Sequence, residues 1–228
     1  MNHGLTEYEK YQVVRPIWKE HEYDQFNFPI IHRPKKQVNW EALSATNFKN
    51  LSPQRDNSNT VSLMFSYDKI LLPLWRNPLK MIPLFQTCAA VATPDFSLYP
   101  TMNANDIRHN VYKSRWLGCT WQDYECNVFP TIGWAGKDTI DICLGGVEEG
   151  CPVIISTIGC KNHQDDFLWG FYAMKERISP PLIIVYGEIL PGMTGTFLHF
   201  KYKDAFLKKV QQLRMEIISN VFTVEEVV

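Results

Sequence analysis

The sequence predicts an α/β protein with a mostly parallel sheet built from repeated βα units. Two runs that are continuously apolar rather than alternating, at 153–155 and 182–186, alternate with segments of helical spacing. Strands of a parallel sheet are buried on both faces and therefore show such runs. The phrase Thr-Ile-Gly also follows two apolar runs, at 131–133 and 157–159. Their separation fits one strand, a loop, a short helix and the next strand.

Five strands and five helices are predicted in order along the chain. The strands are expected at 61–65, 89–92, 127–131, 152–156 and 182–186. The first helix is predicted to have Asn77 as its N-cap and Pro78 at its first helical position, with an apolar face of Leu79, Ile82 and Phe85. The next three are expected at 105–117, where Gly118 is expected to end the helix, at 139–144 and at 164–178. A basic C-terminal helix should bury Phe206, Val210, Leu213 and Ile217.

Five βα units are fewer than the eight of a complete barrel. We therefore expect an incomplete or distorted TIM-like barrel, with an open doubly wound sheet as the alternative. Residues 1–60 are polar and aromatic and are predicted to form an N-terminal arm and linker, with a basic run at 32–36. Residues 61–228 are predicted to be a single α/β domain that includes the basic C-terminal helix.

Composition and charge limit the classes of function. The 228 residues carry a formal net charge of −1, so contact with nucleic acid would need a local basic patch. No apolar run approaches the roughly 20 residues of a membrane-spanning helix, and the start lacks the pattern of a secretory signal. We expect a cytoplasmic protein without a membrane partner. Its six cysteines show no Cys-x-x-Cys pair and are expected to be reduced.

Three common ligand motifs are absent from the sequence. It contains no phosphate-binding P-loop, no Gly-x-Gly-x-x-Gly fingerprint and no Gly-x-Ser-x-Gly elbow. These absences weigh against a kinase, a dehydrogenase of the usual type and an α/β-hydrolase. His109 and His163 stand apart from other ligand residues, so no metal site is predicted, and the sequence identifies no cofactor.

Two carboxylates are the candidate catalytic residues because they follow predicted strands. Asp95 comes after the second strand, where Pro94 stiffens the chain, and Glu188 comes after the fifth. If the sheet brings them together, the pair would suit acid–base chemistry or Mg²⁺. The alternative for Asp95 is a structural role as a turn or helix-cap aspartate.

Other polar and aromatic side chains at the same strand ends are candidate ligand-binding residues. They are Ser97, Thr131, Trp134, Thr157 and Tyr186. A tryptophan here can stack a base, although packing in the core is the common role of this residue type.

Three side chains of the second predicted helix share a face and are further candidates. Arg108, Tyr112 and Arg115 stand at positions i, i+4 and i+7. Two guanidinium groups beside a phenol would suit phosphate or carboxylate recognition. A solvated or salt-bridged arginine face is the alternative.

Five phrases in order carry a resemblance to a known family. They are Pro-Asp-Phe-Ser-Leu-Tyr at 94–99, Ser-Arg-Trp-Leu-Gly at 114–118, Pro-Thr-Ile-Gly-Trp at 130–134, Ser-Thr-Ile-Gly-Cys at 156–160 and Val-Tyr-Gly at 185–187. Together they resemble the domain-of-unknown-function family numbered 4417, found in bacteria, phages and plasmids. The resemblance covers about residues 61–188. It implies a compact α/β domain and a mobile-element setting, and it supplies no catalytic residue.

These observations favour one function and leave two alternatives. The first hypothesis is a protein that acts on or binds a nucleotide or nucleic-acid ligand at the strand C-terminal edge, with carboxylate-assisted base or glycosyl chemistry as its concrete form. The second is a non-enzymatic phage or plasmid protein that sequesters a nucleotide signal or blocks a host protein. The third is a structural or replication accessory module.

Overall fold

The structure is a computed structural model that describes residue 15 and residues 20–200, 211–212 and 214–218. Its strands are β1 (Ser44–Asn47), β2 (Thr60–Leu63), β3 (Ala90–Ala92), β4 (Val128–Phe129), β5 (Val153–Ser156), β6 (Ile183–Tyr186), β7 (Gly195–Phe200), β8 (Gln211–Gln212) and β9 (Arg214–Ile218). Its α-helices are α1 (Asp68–Arg76), α2 (Ile82–Phe85), α3 (Ala104–Asp123), α4 (Ile140–Cys143) and α5 (Gln164–Ile178).

The strands of the described residues form two sheets, and each sheet is parallel except for one antiparallel strand at its edge. One sheet has the order β4-β3-β2-β1-β8 and the other β5-β6-β7-β9. Neighbours from β1 to β4 and from β5 to β7 are parallel, whereas β8 and β9 run antiparallel to β1 and β7. A parallel bridge between Thr131 and Ile154 links the end of β4 to β5. The predicted α/β class with parallel sheets is confirmed.

Burial on both faces explains the continuous apolar runs. In β5, Val153 and Ile155 pack in a core cluster with Phe171 and Met174 of α5. The intervening Ile154 belongs to a second cluster, which it shares with residues of β1 to β4. Alternate residues of one strand therefore face different apolar layers, as expected for a sheet covered on both sides.

Helix α5 covers 164–178, as the apolar spacing predicts. Its side chains Phe167, Phe171, Met174 and Ile178 are all buried. The five predicted strands are also present, each shorter than predicted by one to three residues. The short helix predicted at 139–144 is confirmed by α4, which lies within this range and follows a 3-10 turn at Lys137–Thr139.

The prediction that Asn77 is the N-cap of a helix is wrong. Helix α1 begins at Asp68, and Asn77 is its C-cap, whose N–H donates to the carbonyl of Pro73 at 2.9 Å. Pro73 lies inside α1 and removes one backbone donor, which speaks against a helix here. Burial of Leu71 and Leu74 offsets this loss. The residues after Asn77 form a turn and then the single-turn helix α2.

The prediction that Gly118 ends its helix is also wrong, because α3 continues to Asp123. A Cβ atom at Gly118 would lie 2.5 Å from Cδ1 of Ile31 and 2.8 Å from Cγ2 of Thr93. The glycine is therefore required for close packing of α3 against the core. Within the described ranges, no helix has both the length and the apolar character needed to cross a membrane.

The predicted C-terminal helix is corrected where the structure describes it. Residues 211–212 and 214–218 are strands β8 and β9, which pair with β1 and β7. Backbone pairing with the open edges of two sheets outweighs the helical spacing of this segment. The remainder of the predicted helix, including Phe206, Val210 and Leu213, lies outside the described residues.

Residues 44–47 of the predicted N-terminal arm form β1, which lies beside β2 in the sheet. The register pairs Ala45 with Val61 and Thr46 with Ser62. This short strand carries too little apolar periodicity to stand out from its polar surroundings. The division into an arm and a domain at residue 60 stays a prediction, but this part of the arm contributes to the sheet.

Candidate functional site

A small cleft lies at the C-terminal ends of β3 and β4, the edge at which the sequence analysis places its candidates. It encloses about 250 Å³ of space, part of which is open to solvent. The segment after β3 contributes Asp95 and Phe96, and the segment after β4 contributes Thr131. Helix α3 closes the cleft with Asn110 and Ser114.

Asp95 is the acidic residue of this cleft. Its backbone N–H donates to the carbonyl of Met64 at 3.4 Å, which ties it to the segment after β2. None of the described residues donates a hydrogen bond to its carboxyl group. Burial and, to a smaller extent, the negative charge of Asp68 together raise the pKa of Asp95 to about 7. The carboxyl group can therefore hold a proton near neutral pH.

Asp68 is the charged neighbour of Asp95 and stands at the start of α1. Its Oδ1 accepts hydrogen bonds from the N–H and the hydroxyl of Ser97, both at 3.0 Å. Nδ2 of Asn110 donates to the carbonyl of Ser97 at 2.7 Å. Ser97, which follows β3, thus connects the start of α1 to α3. Its hydroxyl donates its hydrogen bond to Asp68.

Glu188, the predicted partner of Asp95, follows β6 in the other sheet. Its backbone carbonyl accepts a hydrogen bond from Oγ1 of Thr157 at 2.8 Å. The carboxylate whose charge raises the pKa of Asp95 is Asp68, the first residue of α1, which follows the neighbouring strand β2. The pairing of Asp95 with Glu188 stays a prediction.

Arg115 has a packing role that differs from the predicted ligand contact. Its side chain is 2% exposed, and Nε and Nη2 donate to the carbonyls of Gly145 and Cys143, each at 2.8 Å. Nη1 donates to the carbonyl of Thr131 at 3.1 Å. Burial lowers the pKa of Arg115 to about 10. The guanidinium group therefore ties α3 to the segments after β4 and α4, which leaves it little capacity for phosphate.

The other two residues of the predicted arginine face contact different parts of the chain. Arg108 is exposed, and its guanidinium carbon lies 5.3 Å from the ring centre of Phe26. Tyr112 is half-buried and lies edge-on to Trp75, with ring centres 5.9 Å apart. The predicted phosphate grip of two arginines around one phenol is therefore not formed by these contacts.

The hydroxyls of the two Thr-Ile-Gly phrases hold neighbouring strand ends together. Oγ1 of Thr131 donates to the carbonyl of Thr93 at 2.6 Å, and Thr157 bonds to the segment after β6. Gly187 has φ 125°, and a Cβ atom there would lie 2.3 Å from Oγ1 of Thr157. Both threonine side chains are buried and use their donors within the protein.

The two aromatic candidates are packed against other rings. Trp134 lies 5.1 Å from Phe167 between ring centres. A Cβ atom on Gly170 of α5 would come within 2.3 Å of the indole nitrogen, so this glycine makes room for Trp134. Tyr186 is 5% exposed and stacks on Phe65 at 4.8 Å. These contacts favour the core alternative over a base-stacking role.

Lys113 is a charged residue beside the cleft that the sequence analysis missed. It is 6% exposed, and its Nζ lies 4.1 Å from the ring centre of Phe96, which lines the cleft. Burial lowers the pKa of Lys113, whereas the charge of Asp68 acts in the opposite direction. The available signal was its position on α3 between Asn110 and Ser114, which share one face at i and i+4.

The described residues contain no group of three or more His, Cys, Asp or Glu side chains placed to hold a metal ion. The fold and the cleft define an α/β protein with a partly buried carboxyl group, a second carboxylate and a lysine over the ring of Phe96 near the strand ends.

The family of the chain is shown by a match over residues 22–204 to the domain of unknown function DUF4417. The chain belongs to this family. The match extends beyond residues 61–188, the range of the resemblance predicted from the sequence, and includes β1. The resemblance drawn from the sequence is therefore confirmed.

Two curated relatives come from mycobacterial phages. The chain is 38% identical over 119 residues to the Gene 1 protein of Mycobacterium phage D29, which is 51% of this chain and 44% of that protein. It is 36% identical over 118 residues to the Gene 1 protein of Mycobacterium phage L5, with 50% and 52% covered. The chain spans about half the length of these curated relatives. No solved structure matches the chain.

Proposed function

We propose that this phage-type protein binds a nucleotide or nucleic-acid ligand in the cleft, where Asp95 takes part in base or glycosyl chemistry. The observation that carries the proposal is the state of the Asp95 carboxyl group. It lines the cleft, receives no hydrogen bond from the described residues and has a pKa of about 7 because of burial and the charge of Asp68. A general acid or base works best when its pKa lies near the operating pH.

The two carboxyl groups suit different roles. Asp95 holds a proton near neutral pH and can donate it to a leaving base, whereas Asp68 is fixed as a hydrogen-bond acceptor by Ser97. Glycosyl chemistry uses one protonated acid and one carboxylate that attacks or stabilises the sugar carbon. In this proposal Asp95 protonates the leaving base as its bond to the sugar carbon breaks, and water or a second base forms the new bond to that carbon. Asp68 takes the place next to Asp95 that was predicted for Glu188 and stabilises the positive charge on the sugar.

The cleft is small, and its roughly 250 Å³ includes space that is open to solvent. In this proposal one base or sugar of the ligand lies at the mouth of the cleft next to Asp95, while the rest of a longer ligand stays outside.

We also propose that the two sheets together form a distorted TIM-like barrel. The bridge from Thr131 to Ile154 supports continuity between β4 and β5. Residues 211–212 and 214–218 support closure, because β8 pairs with β1 and β9 pairs with β7. The parallel strands of each sheet follow chain order, whereas the doubly wound alternative needs a reversal of that order.

The proposed function is tested by ligand screening with matched variants. Native mass spectrometry and thermal shift would be run with nucleosides, nucleotides and short single-stranded oligonucleotides. The expected result is binding that weakens or turnover that stops in Asp95→Asn, while Asp138→Asn, which changes an exposed aspartate, behaves as the wild type. Unchanged binding and turnover in a folded Asp95→Asn variant would contradict the role of Asp95.

The fate of the bound ligand separates an enzyme from a sequestering protein. Incubation with the ligand found in the screen should release a free base or an exchanged glycoside, which mass spectrometry detects. A ligand that is recovered intact after long incubation contradicts the catalytic part and favours a non-enzymatic phage protein.

A further inference from the structure

Two side chains that line the cleft keep polar atoms that the described protein does not use. The polar side chains of the lining are those of Asp95, Asn110, Ser114, Arg115 and Thr131. The hydroxyls of Ser114 and Thr131 donate to Oγ1 and to the carbonyl of Thr93, at 2.9 Å and 2.6 Å. Arg115 donates to three backbone carbonyls. The carboxyl group of Asp95 and the side-chain carbonyl of Asn110 therefore remain for a ligand.

The side-chain amide of Asn110 is held in one orientation. Its Nδ2 donates to the carbonyl of Ser97 at 2.7 Å, a bond that only the NH₂ end of the amide can make. None of the described residues donates a hydrogen bond to Oδ1 of Asn110. This atom is also not one of the buried polar atoms that lack a partner, so solvent reaches it. Asn110 thus presents a fixed hydrogen-bond acceptor at the cleft.

Gly133 leaves space beside the carboxyl group of Asp95. It lines the cleft, and a Cβ atom there would lie 3.8 Å from Oδ1 of Asp95 and 3.5 Å from Cδ1 of Leu98. Both are ordinary contact distances to other residues of the cleft, so a methyl group would fit without a clash and would occupy space next to the carboxyl group. The missing side chain therefore lets a flat ring approach Asp95.

We infer that the cleft selects a base with an amino group next to a ring nitrogen, as in adenine and cytosine. The amino group donates to Oδ1 of Asn110, and the ring nitrogen lies at the carboxyl group of Asp95. This inference rests on the proposed function of the cleft and names the class of base that it uses.

The hydrogen-bonding pattern of the base decides the selection. Adenine has the donor N6–H₂ beside the acceptor N7, and cytosine has the donor N4–H₂ beside a ring acceptor. Asp95, which holds a proton near neutral pH, is the donor to the ring nitrogen, and Asn110 is the acceptor for the amino group. Hypoxanthine and uracil have an oxygen in place of the amino group. Their ring N–H and oxygen occur in the reverse order, which would take the acceptor nitrogen away from the acid.

The selection is tested with pairs of nucleosides that differ in an amino group against an oxygen. Calorimetry compares adenosine with inosine and cytidine with uridine, and then short single-stranded oligonucleotides of the same bases. The wild type is expected to bind the amino member about tenfold or more tightly, the effect of one hydrogen bond left unmade. Asn110→Leu should abolish this preference. Asn105→Leu, which changes an exposed asparagine of the same helix, should keep it.

A second variant tests the position of the base independently of Asn110. Gly133→Ala should weaken the binding of every nucleoside by about tenfold or more, because its methyl group takes the space beside Asp95. Gly136→Ala is the matched control, since a Cβ atom there would meet nothing within 4 Å. Thermal denaturation verifies that each variant is folded. If Asn110→Leu does not fold, the preference of the wild type and the affinity of Gly133→Ala decide the test.

The outcomes separate this inference from the proposed function. Binding without an amino preference, a preference that survives in folded Asn110→Leu, or wild-type affinity in Gly133→Ala overturns the inference and leaves ligand binding by the protein intact. A preference that depends on Asn110, without release of a free base, supports the inference and contradicts only the catalytic part of the proposed function. If no nucleoside and no oligonucleotide binds, both are overturned.

Discussion

Replacing Asp95 by asparagine should remove a pH dependence from the stability of the protein. The pKa of Asp95 rises from 3.8 to about 7 on folding because of burial and the charge of Asp68. The folded state therefore binds a proton that the unfolded state has lost between these two pH values. The stabilisation is complete below pH 3.8 and is lost as the pH rises through 7.

The magnitude follows from the distance between the two pKa values. At 1.36 kcal/mol for each pH unit, the free energy of unfolding would fall by about 4 kcal/mol between pH 3.8 and pH 7. Because the side chain of Asp95 is only partly buried, solvent screening reduces the effect, and we expect about 2 kcal/mol. Asparagine has a similar shape and does not titrate, so its variant should lack this contribution.

Urea denaturation at about pH 5.5 and pH 8 measures the effect, since the difference between wild type and Asp95→Asn cancels contributions of other titrating groups. The free energy of unfolding of the wild type should fall by about 1 kcal/mol more than that of Asp95→Asn over this interval, which covers about half of the reduced effect. Asp138→Asn should follow the wild type. An Asp95→Asn variant with the same pH dependence as the wild type would refute the raised pKa.

Three further predictions concern packing and reactivity. Gly170→Ala should lower the free energy of unfolding, measured in urea, by about 1–3 kcal/mol, because its Cβ would lie 2.3 Å from the indole nitrogen of Trp134. A variant that is more stable than the wild type would contradict this packing. Arg115→Met should lower the free energy of unfolding in urea by about 3 kcal/mol or more, because three buried backbone carbonyls lose their hydrogen-bond donor. A decrease of less than about 1 kcal/mol would contradict this packing role. Iodoacetamide at pH 8 should modify the partly exposed Cys160 before the five buried cysteines. Cys88 is one of these five, and burial raises the pKa of its thiol to about 12. Mass spectrometry shows the order of modification, and equal rates at all six thiols would contradict the prediction.

The central strands and α5 could be predicted from the sequence because local pattern and final environment agree there. Ile183 to Tyr186 is apolar at every position, and apolar layers cover both faces of that strand. The spacing of Phe167, Phe171 and Met174 matches the buried side of α5. Where one face or both faces of an element meet the core, the sequence period is the strongest signal.

The errors occur where a distant part of the chain decides the local structure. Residues 214–218 have apolar residues that suit either period, and pairing with β7 makes this segment a strand. Gly118 resembles a helix end, yet it is needed because Ile31, far away in sequence, packs against it. Pro73 is an unfavourable residue inside a helix, so the sequence pattern does not indicate α1. The burial of Leu71 and Leu74, which stabilises this helix, depends on the tertiary fold.

The candidate site shows the same division. Asp95 could be located from its place after a strand, and it does line the cleft. Arg115 could not be distinguished from a ligand-binding arginine, because its partners are backbone carbonyls at positions 131, 143 and 145. Lys113 carried no signal of burial, since the ring of Phe96 covers it only through the tertiary fold.

The most direct test of the role of Asp95 is a ¹³C NMR titration of its carboxyl carbon, assigned by comparison with Asp95→Asn. We predict a midpoint near pH 7 in the wild type and a lower midpoint in Asp68→Asn, where the neighbouring negative charge is removed. A carboxyl group that titrates near 3.8 in the folded wild type would contradict the proposal that Asp95 is the proton donor of this cleft.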